Sequence, residues 1–449
     1  SAFARPLLDS SQLMRSVLKS VNVGLCGLGT VGSGTFNVMQ RNLEDIARRA
    51  GKPVRITHVG ARRDNPACHL GSVKVSRDIF DVARDPDIHI LVELIGGNDV
   101  AKELVLEAIK HGKHVVTANK SMIAIHGNEI FKAAEAQGVV VTYEAAVAGG
   151  IPIIKGIREG LVANDIKWLA GIINGTGNFI LTEMQEKGRA FDDVLKEAQA
   201  LGYAEADPTF DVEGIDAAHK LTILASIAFG IPLQFDKVYT EGITKITRED
   251  VQYAEELGYR IKHLGFTRKT NEGVELRVHP TLVPSKRLLA NVNGVLNAVL
   301  VEGDAVGPTM YYGPGAGSEA TASSVIADIV DIAREIDNAG NVPHLGYSSE
   351  TENMPVLPVS EIVTAYYLRI SVKDEIGQMA NIARIMSEKG INIEAIIQKE
   401  PEDESDVVPL ILLTHPVREH RMDDAISAMQ ALESVTKPIV RIRVEQLDG

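Results

Sequence analysis

The stretch GYAEADPTFDVEGIDAAHK, residues 202–220, carries most of the side chains that could do chemistry: five acids stand ahead of one basic residue, Lys220. Asp216 and Lys220 are four residues apart in a segment with helical apolar spacing, so they share one face of a helix. A surface ion pair is one interpretation. The other is a carboxylate-lined pocket for a substrate ammonium, in which the lysine carries the proton of a hydroxyl group.

The remaining acids of the stretch have adequate structural explanations. Asp207 precedes Pro208 and marks a turn, Asp211 is suited to cap the next helix, and Glu213 suits its first turn. A divalent metal is disfavoured, because the nearby His219 projects about 100 degrees away from the acid–lysine pair around the helix.

A second chemical signal is GLGTVG, which follows the predicted strand VNVGLC and opens a predicted helix. In that context one glycine makes a tight turn, one admits a pyrophosphate and one permits close helix–strand packing. The pattern predicts dinucleotide binding, with a glycine turn that binds nothing as the alternative. The residues concerned are Gly27, Leu28, Gly29, Thr30, Val31 and Gly32.

Two arginines, Arg62 and Arg63, follow the next predicted strand, RITHVGA. An NAD site usually offers a carboxylate there to the ribose 2′-hydroxyl. The arginines favour a 2′-phosphate and hence NADP, while Asp64 leaves NAD open. A solvated loop without a ligand is the alternative.

Three predicted domains must position these residues. Strands and helices alternate over residues 21–145 and predict an α/β domain with a mostly parallel sheet. Residues 146–340 read as an α+β domain with its own core, and residues 341–363 as a linker rich in Pro, Ser and Asn. Residues 364–449 follow the strand–helix–strand–strand–helix–strand order of a ferredoxin-like fold. Residues 1–20 read as an N-terminal arm.

Composition narrows the class of protein. The chain has 449 residues, 45% of them hydrophobic, and a formal net charge of -14, which disfavours nucleic acid and anionic membranes as partners. The two cysteines, Cys26 and Cys68, form no CxxC pair and predict a reducing, cytoplasmic setting. No apolar run approaches the length of a membrane span.

The sequence resembles the homoserine dehydrogenases, in their monofunctional form with a C-terminal ACT domain. The resemblance is carried by GLGTVG at 27–32, VVTANK at 115–120, YEAAVAGGIPII at 143–154, INGTGNFI at 173–180 and the acidic stretch at 202–220. It implies reversible NAD(P)-dependent interconversion of L-homoserine and L-aspartate 4-semialdehyde.

The resemblance also implies roles for individual residues. Lys220 is similar to the family's catalytic lysine, and Lys120 to a second lysine near nicotinamide and substrate. Glu205 and Asp216 look like the acids that hold substrate, with Tyr203, Gly202 and Thr176 lining the pocket. The family's late glycine loop resembles YYGPGAGSEAT, which implies that Gly315 to Gly317 approach the nicotinamide end of the cofactor.

Two further sites are implied by the same resemblance. A monovalent cation, Na⁺ or K⁺, is expected at Glu144, Val147, Gly149 and Ile151, although the residues alone support only a turn. An amino-acid effector, expected to be L-threonine, is placed at Asp374, Gly377 and Asn392 of the ACT domain. ACT domains commonly pair, which implies a homodimer or homotetramer; an ACT fold that only aids assembly is the alternative.

The residues disfavour two competing functions. An aspartate-semialdehyde dehydrogenase needs a thiolate nucleophile, and neither cysteine lies in a suitable segment. A non-enzymatic amino-acid sensor would bind cofactor without turnover, and Glu205, Asp216 and Lys220 speak against it.

Overall fold

The computed structural model describes residues 20–400 and 405–448. The N-terminal arm expected at residues 1–20 therefore lies, up to residue 19, outside the described chain. The first domain contains six strands and five helices in alternation. These are β1 (Val21–Cys26), α1 (Thr30–Arg41), α2 (Leu43–Ala50), β2 (Val54–Gly60), β3 (Lys74–Ser76), α3 (Ile79–Arg84), β4 (Ile90–Glu93), α4 (Asp99–Lys110), β5 (His114–Thr117), α5 (Lys120–Gln137) and β6 (Val141–Thr142).

The first sheet is parallel throughout and has the order β3-β2-β1-β4-β5-β6. Strands β1, β4 and β5 are almost wholly buried, as expected where helices cover both faces. Strand order reverses beside β1, and a crevice for a ligand forms at such a point. The predicted dinucleotide-binding fold is confirmed.

The second domain is built from helices packed on a mixed sheet. Its elements are α6 (Ile153–Lys155), β7 (Ile166–Ile172), α7 (Gly175–Lys187), α8 (Phe191–Ala200), α9 (Thr209–Val212), α10 (Ile215–Phe229), β8 (Tyr239–Thr240), α11 (Arg248–Glu256), β9 (Tyr259–Lys269), β10 (Val274–Pro284), β11 (Leu296–Gly303), β12 (Gly307–Pro314) and α12 (Ser318–Arg334). Helix α10 is buried along nearly its whole length because its own residues are mostly apolar on every face.

Helix α12 does not pack where its place in the sequence suggests. Val325 and Ile329 belong to the core of the first domain, together with Leu25 and Phe36. The segment 146–340 therefore ends with a helix that packs on the first domain. This differs from the expectation that residues 146–340 form one domain with its own core. Periodicity identifies such a helix but not the surface that it covers.

The third domain has the predicted order of elements. They are β13 (Val363–Lys373), α13 (Gln378–Glu388), β14 (Ile393–Gln398), β15 (Val407–Thr414), β16 (Val417–Arg418), α14 (Glu419–Gln430) and β17 (Val440–Val444). Its four main strands lie in the order β17-β13-β15-β14 and are antiparallel to their neighbours. This confirms the ferredoxin-like arrangement.

The sheets of the second and third domains are continuous. Strand β17 pairs in parallel with β10, so one sheet of eleven strands runs through both domains. The segment 341–363, expected to be a linker, is docked: the hydroxyl of Tyr347 donates to Ala228 O at 2.9 Å and that of Thr351 to Phe229 O at 2.7 Å.

Candidate active site

A cleft of about 670 Å³ opens between the first and second domains. It brings together segments that are far apart in the sequence: the dinucleotide turn, the start of α5, the start of α7, the loop before α9 and the first turn of α10. The sequence-predicted residues that line it are Thr30, Val31, Lys120, Gly149, Thr176, Gly202, Tyr203, Glu205, Asp216, Lys220 and Gly317.

A carboxylate between two lysines forms the centre of the cleft. Lys220 Nζ donates to Asp216 Oδ2 at 2.7 Å, and Lys120 Nζ lies 3.1 Å from Asp216 Oδ1. The side chains of Asp216 and Lys220 are 5% and 11% exposed, and that of Lys120 is 33% exposed. The predicted pair on one helix face is confirmed, and it is buried rather than solvated.

Lys220 has a second fixed partner, the carbonyl oxygen of Ile173, at 2.6 Å. A neutral lysine amine has two N–H donors and one lone pair, whereas an ammonium has three donors. With Ile173 and Asp216 as acceptors, the remaining position of the nitrogen is a lone pair in the neutral form and an N–H in the charged form. This geometry suits transfer of one proton to and from a ligand in the cleft.

Asn174 is a central residue that sequence reasoning missed. Its Oδ1 caps α7 by accepting from Gly177 N at 2.8 Å, while its Nδ2 donates to Asp216 Oδ2 at 2.8 Å and to Asp211 Oδ1 at 2.7 Å. The motif INGTGNFI contained the signal, because an asparagine before a glycine-containing helix start is a good N-cap. Nothing local indicated that its nitrogen would reach acids 37 and 42 residues away.

The prediction that Asp211 caps the next helix is wrong. The residue at the N-cap of α10 is Gly214, whereas Asp211 lies within α9 and lines the cleft. Burial raises the pKa of Asp211, and the neighbouring Asp216 raises it further. Asp211 is therefore a third carboxyl group of the site. Asp207 does have the predicted turn role, accepting from Thr209 N at 3.1 Å.

The charges of Asp216, Lys220 and Lys120 shift one another's pKa values. Burial opposes ionisation of Asp216, but Lys220 and Lys120 outweigh it and hold the pKa of that carboxyl well below its usual range. Burial lowers the pKa of Lys220, Asp216 opposes this, and the positive charge of Lys120 lowers it further. Lys220 thus holds its proton less tightly than a free lysine, as a general base requires.

Lys120 is placed by the end of β5 and the start of α5. Asn119 caps α5 by accepting from Met122 N at 3.1 Å, and its backbone N–H donates to Thr117 Oγ1 at 3.0 Å. Thr117 in turn donates to the buried Glu93. Lys120 is the first residue of the helix rather than part of the strand, and its ammonium lies 5.8 Å from the centroid of the Phe210 ring.

The segment 202–205 forms one rim of the cleft. The hydroxyl of Thr176 donates to Tyr203 O, and the Tyr203 ring packs edge-on against Phe179, with centroids 5.1 Å apart. Glu205 is exposed on this rim, and its backbone oxygen accepts from Gln199 Nε2 at 3.0 Å. The rim thus presents one acid to the cleft from outside the buried group.

The glycine turn has the geometry that a dinucleotide needs. Gly27 has φ +103°, and a Cβ on Gly32 would lie 2.0 Å from Gly27 O, so both positions require glycine. An ideal Cβ on Gly29 would meet no atom within 4 Å. Gly29 also precedes α1, whose first backbone N–H groups point out of the helix. Open space at Gly29 therefore fits the pyrophosphate of a nicotinamide dinucleotide.

Comparison with known proteins identifies the family of this chain. Three family models match: "Homoserine dehydrogenase, NAD binding domain" over residues 27–144, "Homoserine dehydrogenase" over residues 152–330 and "ACT domain" over residues 366–434. The homoserine dehydrogenase of Pseudomonas aeruginosa is 65% identical over 434 residues, covering 96% of this chain and 100% of the relative. The chain belongs to the homoserine dehydrogenase family.

Two solved homoserine dehydrogenases extend the comparison. A crystal structure of the enzyme from Thiobacillus denitrificans has a TM-score of 0.91 and 58% identity, covering 96% of this chain and 99% of that one. A hyperthermophilic archaeal homoserine dehydrogenase, solved in complex with NADPH, has a TM-score of 0.60 and 27% identity, covering 70% and 97% respectively. The present chain is an oxidoreductase of this family with a nicotinamide cofactor and an ACT domain.

The arginines expected at the cofactor lie at the edge of the first sheet. Arg62 and Arg63 follow β2, are exposed and do not line the cleft. The carboxylate of Asp64 is paired with Arg77 at 2.7 Å, on the surface. Neither arginine is held by a carboxylate in the described chain, so both guanidinium groups face solvent.

The segment expected to bind a monovalent cation is buried and irregular. Glu144 accepts from Ile154 N at 3.0 Å and Lys155 N at 2.9 Å, and burial raises the pKa of Glu144 to about 7. The carbonyl of Gly149 accepts from Ser324, and that of Ile151 from Ile153 N. Val147 is buried beside them. The available atoms are all oxygens, a donor set that suits a hard cation, and each carbonyl keeps a second lone pair.

The three effector residues do not meet within one chain. Asp374 and Gly377 lie in the turn between β13 and α13, where Gly377 has φ +90°. Asn392 lies past the other end of α13, in a helix-to-strand turn. An eleven-residue helix spans about 16 Å and separates Asn392 from the other two residues.

The described residues carry no helix long and apolar enough to cross a membrane and no cluster of three or more His, Cys, Asp or Glu side chains arranged for a metal ion. Cys26 and Cys68 are both unpaired and buried. Burial raises the pKa of each thiol, and neither lines the cleft. A thiolate-based reaction in this cleft has no nucleophile.

Proposed function

We propose that this homoserine dehydrogenase interconverts L-homoserine and L-aspartate 4-semialdehyde with Lys220 as the proton-transferring residue. The observation that carries the proposal is the position of Lys220, whose nitrogen is held by Ile173 O and Asp216 in the cleft that also contains the dinucleotide turn. One face of that nitrogen remains for the substrate hydroxyl.

In the oxidative direction, neutral Lys220 accepts the proton of the hydroxyl group through its lone pair. The bound nicotinamide supplies the acceptor for the hydride that leaves the same carbon. Asp216 and Ile173 O keep the new ammonium hydrogen-bonded, and Lys120 limits how tightly the proton is held. In the reductive direction the ammonium returns this proton to the oxygen of the aldehyde.

The acids of the cleft are assigned to the substrate ammonium and hydroxyl. Asp216 is held ionised between two lysines, and Glu205 stands on the exposed rim. A substrate that carries one ammonium and one hydroxyl can place the hydroxyl at Lys220 and the ammonium toward Glu205. Thr176, Gly202 and Tyr203 shape the wall between these two ends.

We propose NADP as the preferred cofactor and Na⁺ or K⁺ as an accessory cation. Arg62 and Arg63 stand free after β2, where a 2′-phosphate would need positive charge. NADPH is also the ligand in the archaeal relative's structure. The cation is assigned to Glu144, Val147, Gly149 and Ile151, where it would stabilise the irregular loop that borders the cleft.

We further propose a cytoplasmic homodimer or homotetramer that L-threonine inhibits. Asp374 and Gly377 are at one end of α13 and Asn392 at the other, so an effector that uses all three needs a second copy of the domain. The sheet that joins β17 to β10 offers a rigid connection from the ACT domain to the catalytic domain.

A steady-state assay tests this function. Purified protein is expected to oxidise L-homoserine with a higher kcat/KM for NADP⁺ than for NAD⁺, and to lose activity when L-threonine is added. Equal use of both cofactors would refute the role of Arg62 and Arg63, and full activity at saturating threonine would refute the regulation. Failure to oxidise homoserine with either cofactor would refute the function itself.

A further inference from the structure

Asn297 is a buried polar residue of the cleft that the mechanism above does not use. It lies on β11, is 1% exposed and lines the cleft. Its Oδ1 has no hydrogen-bond partner, and its Nδ2 donates to no atom of the described chain. A buried amide oxygen without a donor costs stability, so a residue in this state points to a ligand that supplies an N–H to it.

The chain makes room for this carboxamide. An ideal Cβ on Gly315 would lie 1.8 Å from Asn297 Oδ1 and 2.1 Å from Nδ2, so any side chain at 315 would force this carboxamide to move. The same loop continues to Ser318, whose hydroxyl donates to Thr30 O at 2.6 Å. Asn297 therefore belongs to the wall that one short loop ties to the dinucleotide turn.

The chemistry of the Asn297 amide limits which ligand group can bind it. The charged group of the cleft is already internally paired, with Asp216 bound to Lys220, Lys120 and Asn174. A neutral amide whose oxygen and nitrogen both lack hydrogen-bond partners is complementary to another primary amide. Such a group can donate to the oxygen and accept from the nitrogen at once. The nicotinamide ring carries such an amide, and it is the end of the cofactor that must reach Lys220.

We propose that Asn297 is a positioning residue that holds the carboxamide of the bound nicotinamide and so fixes which face of the ring meets the substrate. This rests on the nicotinamide-dependent activity proposed above. Rotation of the ring about its glycosidic bond would exchange the two faces, and a paired carboxamide prevents that rotation.

The test compares two cofactors that differ only in this group. In the 3-acetylpyridine analogue of NADP⁺ a methyl ketone replaces the carboxamide, so the N–H donors are lost. Calorimetric titration of cofactor-free wild-type protein is expected to give a Kd about tenfold lower for NADP⁺ than for the analogue. The Asn297→Leu and Asn297→Ala variants are expected to bind both with similar Kd.

Stability separates this role from a structural one. Because Asn297→Leu removes a buried amide oxygen that has no donor, the cofactor-free variant is expected to melt at the same temperature as the wild type or higher. Asn178→Ala is the matched control: Asn178 Nδ2 donates to Val292 O at 2.9 Å and its Oδ1 accepts from Lys262 at 3.2 Å. It is expected to lower Tm and keep the preference for NADP⁺.

Two outcomes would overturn the proposal. One is a wild-type protein that binds the two cofactors equally; the other is an Asn297 variant that weakens both by the same factor and keeps the preference. If the wild type bound neither cofactor, the result would instead count against the activity on which the proposal rests.

Discussion

Each oxygen of Asp216 is engaged by a different lysine, and the two lysines differ in exposure. Lys220 is enclosed and Lys120 faces the cleft, so a change in Lys120 alters the field at Lys220 without removing its partners. Asn174 adds a neutral donor to the same carboxylate. At the scale of residues, the site is therefore a charge network in which each member sets the proton affinity of the others.

Lys120→Gln should move the pH profile of homoserine oxidation. Lys220 must be neutral to accept a proton, so kcat/KM rises as pH rises through its pKa. Lys120 lowers that pKa. Without the charge at 120 the pKa of Lys220 rises, and the acidic limb of the profile should shift toward higher pH. Lys196→Gln, at an exposed lysine on α8, is the control. An unshifted limb would contradict the coupling.

Asn174→Ser separates the two roles of Asn174. Serine is a good N-cap, so α7 should be retained. A loss of a few tenths of a kcal/mol at the cap would lower the melting temperature by only about 1 °C. The amide donor to Asp216 is lost, and kcat should fall by roughly 10- to 100-fold if it positions that carboxylate. Melting curves and steady-state rates measure the two effects; a fall in Tm with unchanged kcat would assign Asn174 to the helix alone.

At the scale of elements, the function depends on where helices begin. The starts of α1, α5, α7 and α10 all border the cleft, each after a strand end or a glycine turn. A helix start leaves backbone N–H groups unpaired and fixes the direction of its first side chains. Asp216 and Lys120 are thus aimed by short local motifs on rigid elements.

Two glycines of the dinucleotide turn should respond in opposite ways to alanine. Gly29→Ala adds a methyl group to open space, so Tm should hold while the Kd for cofactor rises at least tenfold, because the methyl occupies the place of the pyrophosphate. Gly32→Ala meets Gly27 O at 2.0 Å and should lower Tm. Calorimetry and thermal melting distinguish them; unchanged cofactor affinity in Gly29→Ala would place the pyrophosphate elsewhere.

At the scale of the whole molecule, the ACT domain is part of the catalytic sheet rather than a separate attachment. Arg277 of β10 donates to Glu445, just past β17, at 2.5 Å, and Arg443 of β17 donates to Glu241 at 2.9 Å. Arg277 and Arg443 are fully buried. Removal of residues 350–449 would uncover β10 and take Glu445 from Arg277 and Arg443 from Glu241, so regulation is better tested with point variants than by truncation.

Glu445→Ala should destabilise the whole chain, not only its C-terminal part. It leaves the buried Arg277 with the neighbouring His279, 2.8 Å away, and the more distant carboxylate of Glu275, 3.6 Å away, and a broken buried pair costs about 3 kcal/mol. Scanning calorimetry is expected to show one transition at a lower Tm, with Glu433→Ala, at an exposed position of the same domain, as the neutral control. Two separate transitions would show that the domains unfold independently.

The sequence predicts features that depend on short separations. The turn at residues 27–32 and the pair Asp216–Lys220 follow from local geometry. The partners of Asn174, the return of α12 and the β10–β17 pairing do not, because each depends on segments tens to hundreds of residues apart. The prediction for Asp211 fails for the same reason: in the sequence, a helix-cap residue cannot be told from a cleft residue, because the facing Asn174 is distant along the chain.

The central claim is that Lys220 transfers the proton, and the kcat of Lys220→Ala for homoserine oxidation tests it most directly. The account predicts a fall of at least about 100-fold, the lower range for loss of a general base, with a cofactor Kd close to that of a Lys196→Ala control. A kcat within threefold of the wild type, in a folded variant that binds cofactor normally, would contradict it.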